Sequence, residues 1–244
     1  MKAILTGHTR GIGASIAAEL LSRHIPVLGL ARKRNAELGA LYPDLLEQAE
    51  LDLSDSAALA AWIASPAMGT FLNGCQSALL INNAGIVQPI GPLDRQDPLE
   101  VARAVALNVA APLMLSSALA TKTPSAADRR ILHVSSGAAR TAYPGWSVYC
   151  ATKAALDHHA RAVVADKLPA LRICSLAPGV IDTDMQAELR ATPLDRFPIR
   201  ERFDSMKRNG ELASPEACAR RLVDYLLGDG FGQNPVADLR ELVA

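Results

Sequence analysis

Tyr149 and Lys153 stand four residues apart in a stretch, residues 148–167, whose pattern predicts a helix, so both side chains emerge on one face. A tyrosine with a reference pKa of about 10 exchanges protons poorly at neutral pH unless a neighbouring cation stabilises its phenolate. Lys153 can supply that cation. Upstream, Ser135-Ser136 ends a predicted strand, and the chain from Ser136 to Tyr149 is long enough to leave a sheet and enter the next helix. A hydroxyl there can hydrogen-bond a reacting oxygen, which makes proton transfer to or from that oxygen the chemistry this spacing offers.

A second constellation lies at the start of the chain, where Thr6-Gly7-His8-Thr9-Arg10-Gly11-Ile12-Gly13 follows the first predicted strand and opens an amphipathic helix. Gly7 can turn sharply, while Gly11 and Gly13 let backbone approach a pyrophosphate at the positive end of that helix. The spacing is G-x-x-x-G-x-G and differs from the commoner G-x-G-x-x-G. An NAD site places an acid about 20 residues on, at the end of the second strand, to hold the adenosine ribose. Here that strand ends Leu30-Ala31-Arg32-Lys33-Arg34, with three cations and no acid. Arg32, with Arg10 from the turn, is placed to meet a 2′-phosphate, which points to NADP(H).

The elements that would position these groups alternate in type. Strands are predicted over residues 2–6, 26–31, 49–51, 78–82, 130–135 and 171–177, with a weaker seventh over 236–239. Helices are predicted over 12–23, 56–64, 99–119, 148–167 and 215–227. Short apolar runs alternating with helical patterns imply an α/β fold, a doubly wound, mostly parallel Rossmann-type sheet of about seven strands with helices on both faces. The strand ending Ile81-Asn82-Asn83-Ala84-Gly85 then delivers its residues to the carboxyl edge, where open α/β sheets bind ligands. No linker or fixed repeat divides the chain, so residues 1–244 read as one domain. Residues 182–214 form an irregular excursion, and their Leu189, Leu194, Phe197, Ile199, Phe203 and Met206 would make an apolar lid over that edge.

Composition narrows the function classes. The chain has 244 residues, 25 Lys+Arg against 25 Asp+Glu, and 50% apolar residues, which argues against nucleic-acid binding and against disorder. Cys75, Cys150, Cys174 and Cys218 lie far apart, so neither a zinc site nor a disulfide framework is implied, and a reducing cytoplasm fits. No stretch reads as a signal peptide or as a membrane span of about 20 apolar residues. His158-His159 point in different directions on one helix and His133 lies inside a strand, so no metal is assigned.

Together the 6–13 turn, Asn82–Gly85, Ser136, Tyr149–Lys153 and Pro178-Gly179 resemble the short-chain dehydrogenase/reductase family across almost the whole chain. The resemblance implies that Tyr149 is the general acid/base, that Lys153 lowers its pKa and holds the nicotinamide ribose, that Ser136 orients the substrate carbonyl, and that Asn108 supports a water relay to Lys153. It implies a cofactor lying along Gly7, Thr9, Arg10, Gly11, Ile12 and Gly13, then Arg32, Asp52, Leu53, Asn82, Ala84 and Gly85, and finally Pro178, Gly179, Val180 and Thr183. Asp52 would hold the adenine amino group and Thr183 the carboxamide. Within the family, residues 145–151 and 177–186 are most similar to sepiapterin reductases and benzil-reductase-like members, which reduce vicinal dicarbonyls. That places Trp146 and Asp238 at the substrate, although Asp238 reads equally as a surface carboxylate beside Arg240.

The resemblance also implies a homodimer, possibly a tetramer, built on the Ala-rich helices over 99–119 and 148–167. A 3-oxoacyl-type reductase or an alcohol dehydrogenase of the same family is the alternative activity. A serine hydrolase would need the G-x-S-x-G elbow, which is missing. A non-catalytic nucleotide sensor would not need Ser136, Tyr149 and Lys153 intact.

Overall fold

The computed structural model describes residues 1–242. Seven strands, β1 (Lys2–Thr6), β2 (Val27–Ala31), β3 (Leu46–Glu50), β4 (Ser77–Asn82), β5 (Asp128–Val134), β6 (Leu171–Ala177) and β7 (Val236–Asp238), form one sheet in the order β3-β2-β1-β4-β5-β6-β7. Every neighbouring pair is parallel. Strand β2 is apolar throughout and the middles of β1 and β4 are apolar and buried, because helices cover both faces, as the sequence reading expects of a doubly wound sheet. The strand order reverses between β1 and β4, which opens a crevice at their carboxyl ends.

Ten α-helices are found among the described residues, in chain order: α1 (Gly11–Ser22), α2 (Ala36–Leu41), α3 (Ser56–Ala64), α4 (Ala67–Leu72), α5 (Pro98–Val105), α6 (Ala111–Lys122), α7 (Ser147–Ala165), α8 (Asp184–Ala191), α9 (Arg200–Arg208) and α10 (Pro215–Leu227). Their starts are chemically marked: Asp55, Asp97 and Ser214 cap α3, α5 and α10 with their side chains, and Pro98 and Pro215 occupy first-turn positions where no N–H is needed. One apolar cluster joins Ile16, Leu20, Leu222 and Leu226 to one sheet face, and a second joins Leu59, Met68, Leu115 and Leu119 to the other. A third cluster, of Trp146, Tyr149, Phe197 and Phe203, sits at the carboxyl edge.

Several expectations are corrected. The third strand is Leu46–Glu50 rather than 49–51, because it is the sheet edge and carries Glu47, Gln48 and Glu50 where inner strands carry apolar residues. The helix expected over 99–119 runs on to Lys122 and contains one π-helical turn, Ala106–Ala110. Within the continuous run Pro98–Lys122, of 25 residues, an 18-residue window reaches a mean hydropathy of 1.6, enough by length and composition alone to pass for a membrane span. Its Ala111, Leu115, Ala118 and Leu119 pack on the sheet as core. The 182–214 excursion is not irregular, since it contains α8 and α9.

Candidate active site

The glycine turn is shaped by two left-handed residues, Gly7 (φ +72°) and Gly11 (φ +53°), and Arg10, which precedes α1, gives its first turn no side-chain cap. Thr6 Oγ1 accepts from the N–H groups of Asn83 and Ala84, each at 2.9 Å, and Asn83 Nδ2 donates to the carbonyls of Thr6 (2.9 Å) and Gly7 (3.2 Å). The β1 and β4 ends are thereby fixed together. Gly13 differs from its expected use: a Cβ there would lie 2.0 Å from the Gly7 carbonyl oxygen, so its bareness serves the closure of the turn on itself. Gly11 fits the expectation better, meeting only Thr183 within 4 Å. Thr9 and Ile12 are half-buried beside it, and exposed Arg10 pairs with Asp184 at 3.2 Å.

Arg32, Lys33 and Arg34 are all exposed at the end of β2. Asp52 accepts from the Ser54 N–H (2.9 Å) and hydroxyl (2.7 Å), bonds that hold its carboxyl below the usual range, with Arg32 and Arg103 nearby adding to the effect. Leu53 turns its side chain into the core. Asn82 does not face the open edge, since its buried Nδ2 meets His133 Nδ1 at 3.1 Å and its Oδ1 has no partner. Neighbouring Asn83 does the work at the turn. Half-buried Pro178, Gly179 and Val180 follow β6, and Gly179 takes φ +90°.

Tyr149 and Lys153 are both buried on α7 and converge with Ser136. Burial pushes the Tyr149 phenol up to about 12, opposed by a hydrogen bond from the Ser136 side. Lys153 Nζ donates to the Val134 carbonyl at 2.8 Å and lies 5.7 Å from the Tyr149 ring centre. Burial brings its pKa down to about 8 while Asp157, one turn later, resists that fall. Desolvation is the larger influence on the phenol in this geometry, and the Lys153 ammonium beside it is engaged by the Val134 carbonyl. Ser136 is half-buried, and its hydroxyl accepts from the Ala138 N–H at 3.1 Å.

Asn108 sits in the π-helical turn, where its Oδ1 accepts from Ile86 N–H (3.0 Å) and its Nδ2 donates to Ile86 O (2.8 Å) and Thr152 Oγ1 (3.2 Å). Its amide thus braces the β4 loop against α7 and makes no bond to Lys153. A Cβ on Gly85 would lie 3.3 Å from Asn108 Oδ1 and 3.6 Å from Lys153 Nζ, so the glycine keeps open the space these two groups share. Residues that the sequence reading passed over complete the support. Asp157 Oδ1 accepts from Ser135 (2.9 Å) and Ser175 (2.7 Å), and its Oδ2 from Arg140 (3.1 Å), which anchors α7 behind the reactive pair. The only trace of Asp157 in the sequence is its spacing, one turn beyond Lys153.

Over Tyr149, the Trp146 ring packs at 5.1 Å, and Phe197 (5.0 Å) and Phe203 (5.6 Å) pack on Trp146. Of the expected lid residues, Leu189, Phe197 and Phe203 are buried and Leu194 is exposed. The Trp146 indole N–H is buried without an acceptor. Asp238 is buried rather than a surface carboxylate, and both its oxygens are engaged by Arg240, at 2.9 Å and 2.6 Å to the guanidinium. Glycine turn, cationic loop, bare Gly85 and the Lys153–Tyr149 pair follow the carboxyl ends of the strands, the edge at which open α/β sheets bind ligands.

Known proteins point the same way. A family model of short chain dehydrogenases matches residues 1–194. The chain is 32% identical to a benzil reductase ((S)-benzoin forming) of Bacillus cereus over 98% of each chain. It is 35% identical to a sepiapterin reductase of Meriones unguiculatus over 93% of this chain and 92% of that one. A crystal structure of a short-chain dehydrogenase/reductase from Burkholderia vietnamiensis is 54% identical, superposes with a TM-score of 0.73, and covers 99% of this chain and 98% of its own.

Proposed function

The chain belongs to the short-chain dehydrogenase/reductase family, and from that membership we propose that it is an NADPH-dependent carbonyl reductase acting on a ketone or vicinal dicarbonyl. The observation that carries this reading is the buried Tyr149 phenol held beside Ser136 and Lys153. When bound, the nicotinamide dinucleotide supplies the hydride. Gly7, Thr9, Gly11 and the uncapped start of α1 hold its pyrophosphate, Arg32 and Arg10 its 2′-phosphate, Asp52 its adenine, and Gly85, Lys153, Gly179 and Thr183 its nicotinamide half.

Ser136 donates a hydrogen bond to the substrate carbonyl oxygen and aligns it with the phenol. Tyr149 then gives its proton to that oxygen as charge develops there. A phenol whose pKa lies near 12 is fully protonated at neutral pH, the form that reduction requires. Lys153, cationic below about pH 8, stabilises the phenolate left behind. The unpartnered Trp146 N–H is a donor for the second oxygen of a vicinal dicarbonyl, and Phe197 and Phe203 exclude water above it. A homodimer through α5, α6 and α7 is part of the same reading, supported by the exposed apolar Leu99 and Val105 on α5 and Val164 on α7.

Assay of a panel of 1,2-diketones and pterins with NADPH and with NADH tests it. NADPH is expected to be preferred, with Arg32→Asp narrowing that preference by about 10- to 150-fold, the worth of one charge-assisted contact. Equal use of both cofactors by the wild type would remove Arg32 from the phosphate.

A further inference from the structure

His8 stands inside the glycine turn yet is wholly buried. Its imidazole lies across β2 at Gly29, where an added Cβ would sit 2.5 Å from His8 Nδ1. Glycine in the middle of a buried strand weakens it, so the bare position marks a space kept for the ring. On the far side the ring reaches the edge strand, with His8 Nε2 2.8 Å from Gln48 Oε1. That oxygen only accepts, so Nε2 carries the proton and Nδ1 is left without a partner.

Gln48 in turn grips both backbone groups of Asn35: its Oε1 accepts from Asn35 N–H at 2.6 Å and its Nε2 donates to Asn35 O at 3.2 Å. Asn35 caps α2 through Leu38 N–H at 3.0 Å. Asn35 also ends the loop that carries Arg32, Lys33 and Arg34. A continuous run of hydrogen bonds therefore joins the turn that would hold the pyrophosphate to the loop that would hold the 2′-phosphate.

We propose that His8 and Gln48 are positioning residues for 2′-phosphate recognition, fixing the Arg32-Lys33-Arg34 loop at a set distance from the glycine turn. This rests on the NADPH reading above. Exposed cationic side chains lose freedom on binding an anion, and a loop already fixed leaves less to be ordered. The coupling is selective because it acts on the loop that touches the 2′-phosphate and leaves the glycine turn, anchored independently by Thr6 and Asn83, in place.

Calorimetric binding of adenosine 2′,5′-bisphosphate and of 5′-AMP to the wild type, Gln48→Met, Arg32→Ala and the double variant tests the proposal. Gln48→Met should weaken the bisphosphate about fivefold or more, the effect of losing a neutral hydrogen bond, while changing 5′-AMP by less than about twofold. Added to Arg32→Ala it should weaken the bisphosphate little further, since the loop then has less to position. His8→Phe, which fills the space against Gly29 but lacks the N–H, should show the same selectivity and decides the matter if Gln48→Met does not fold. Folded variants that keep bisphosphate affinity, or lose both nucleotides equally, would overturn the positioning role. A wild type that binds the two nucleotides equally would overturn the NADPH reading itself, and this proposal with it.

Discussion

Lys153 illustrates how a single buried residue trades stability for chemistry. Burial lowers its pKa from the ordinary 10.5 to about 8, so between these values the unfolded chain binds a proton that the folded chain does not. The Lys153 contribution to stability should therefore be flat below pH 8 and rise as pH climbs from about 8 to 10.5. Lys153→Met should abolish reduction yet raise stability at pH 7 by up to about 3 kcal/mol, the gain vanishing near pH 10.5, as read from urea midpoints. A variant equally or less stable at pH 7 would show that the ammonium is stabilised by more than its desolvation costs. Asp157 remains satisfied in that variant by Ser135, Ser175 and Arg140. At this scale the sequence was legible where spacing alone sufficed, as for Tyr149 and Lys153 on one helical face. It was not legible in Asn82-Asn83, because which of two adjacent asparagines turns outward depends on a strand register that differs by one residue.

Among the elements, α8 and α9 differ most in attachment from the sheet beneath them. Their segment is tied to the rest of the molecule by the exposed pairs Arg10–Asp184, Arg95–Asp195 and Gln88–Glu188, and by the aromatic cluster on Trp146. Exposed pairs contribute little, so this segment should open before the strands do. Hydrogen exchange across residues 182–214 should be faster than in β4–β6 and should slow when NADP⁺ and a ketone bind together. Slow exchange that binding leaves unchanged would mark the segment as fixed scaffold. The sequence reading found the excursion through its prolines and charges but missed its helices, each under ten residues and broken by Pro193 and Pro198. Helices α2 and α4, six residues each, are too short for a 3.6-residue period to declare itself. The π-helical turn leaves no periodic trace either, although its consequence, Asn108 bonded to Ile86, braces the site.

For the whole molecule, His133 is the main built-in acid liability. Wholly buried, against the β4 neighbour Asn82 and His159 on α7 and near Lys153, it has its pKa lowered to about 3 by desolvation, with His159 and Lys153 adding to the fall. As pH falls below 6.5 the unfolded chain takes up a proton that the folded one refuses, so stability drops until about pH 3. Between pH 7 and 5 this amounts to about 2 kcal/mol, a slope that His133→Gln should largely remove in denaturant titrations. A wild type equally stable at both pH values would contradict it. The molecule's function stands on a different group. Reduction of a carbonyl with Tyr149 as the acid is tested most directly by single-turnover oxidation of NADPH with a 1,2-diketone, comparing wild type with Tyr149→Phe at matched cofactor saturation. Stoichiometric oxidation slowed by about 10²–10⁴-fold in the variant, with NADPH affinity nearly unchanged, is the expected result. A variant that keeps more than roughly a tenth of the wild-type rate, well above what loss of a general acid leaves, would contradict it.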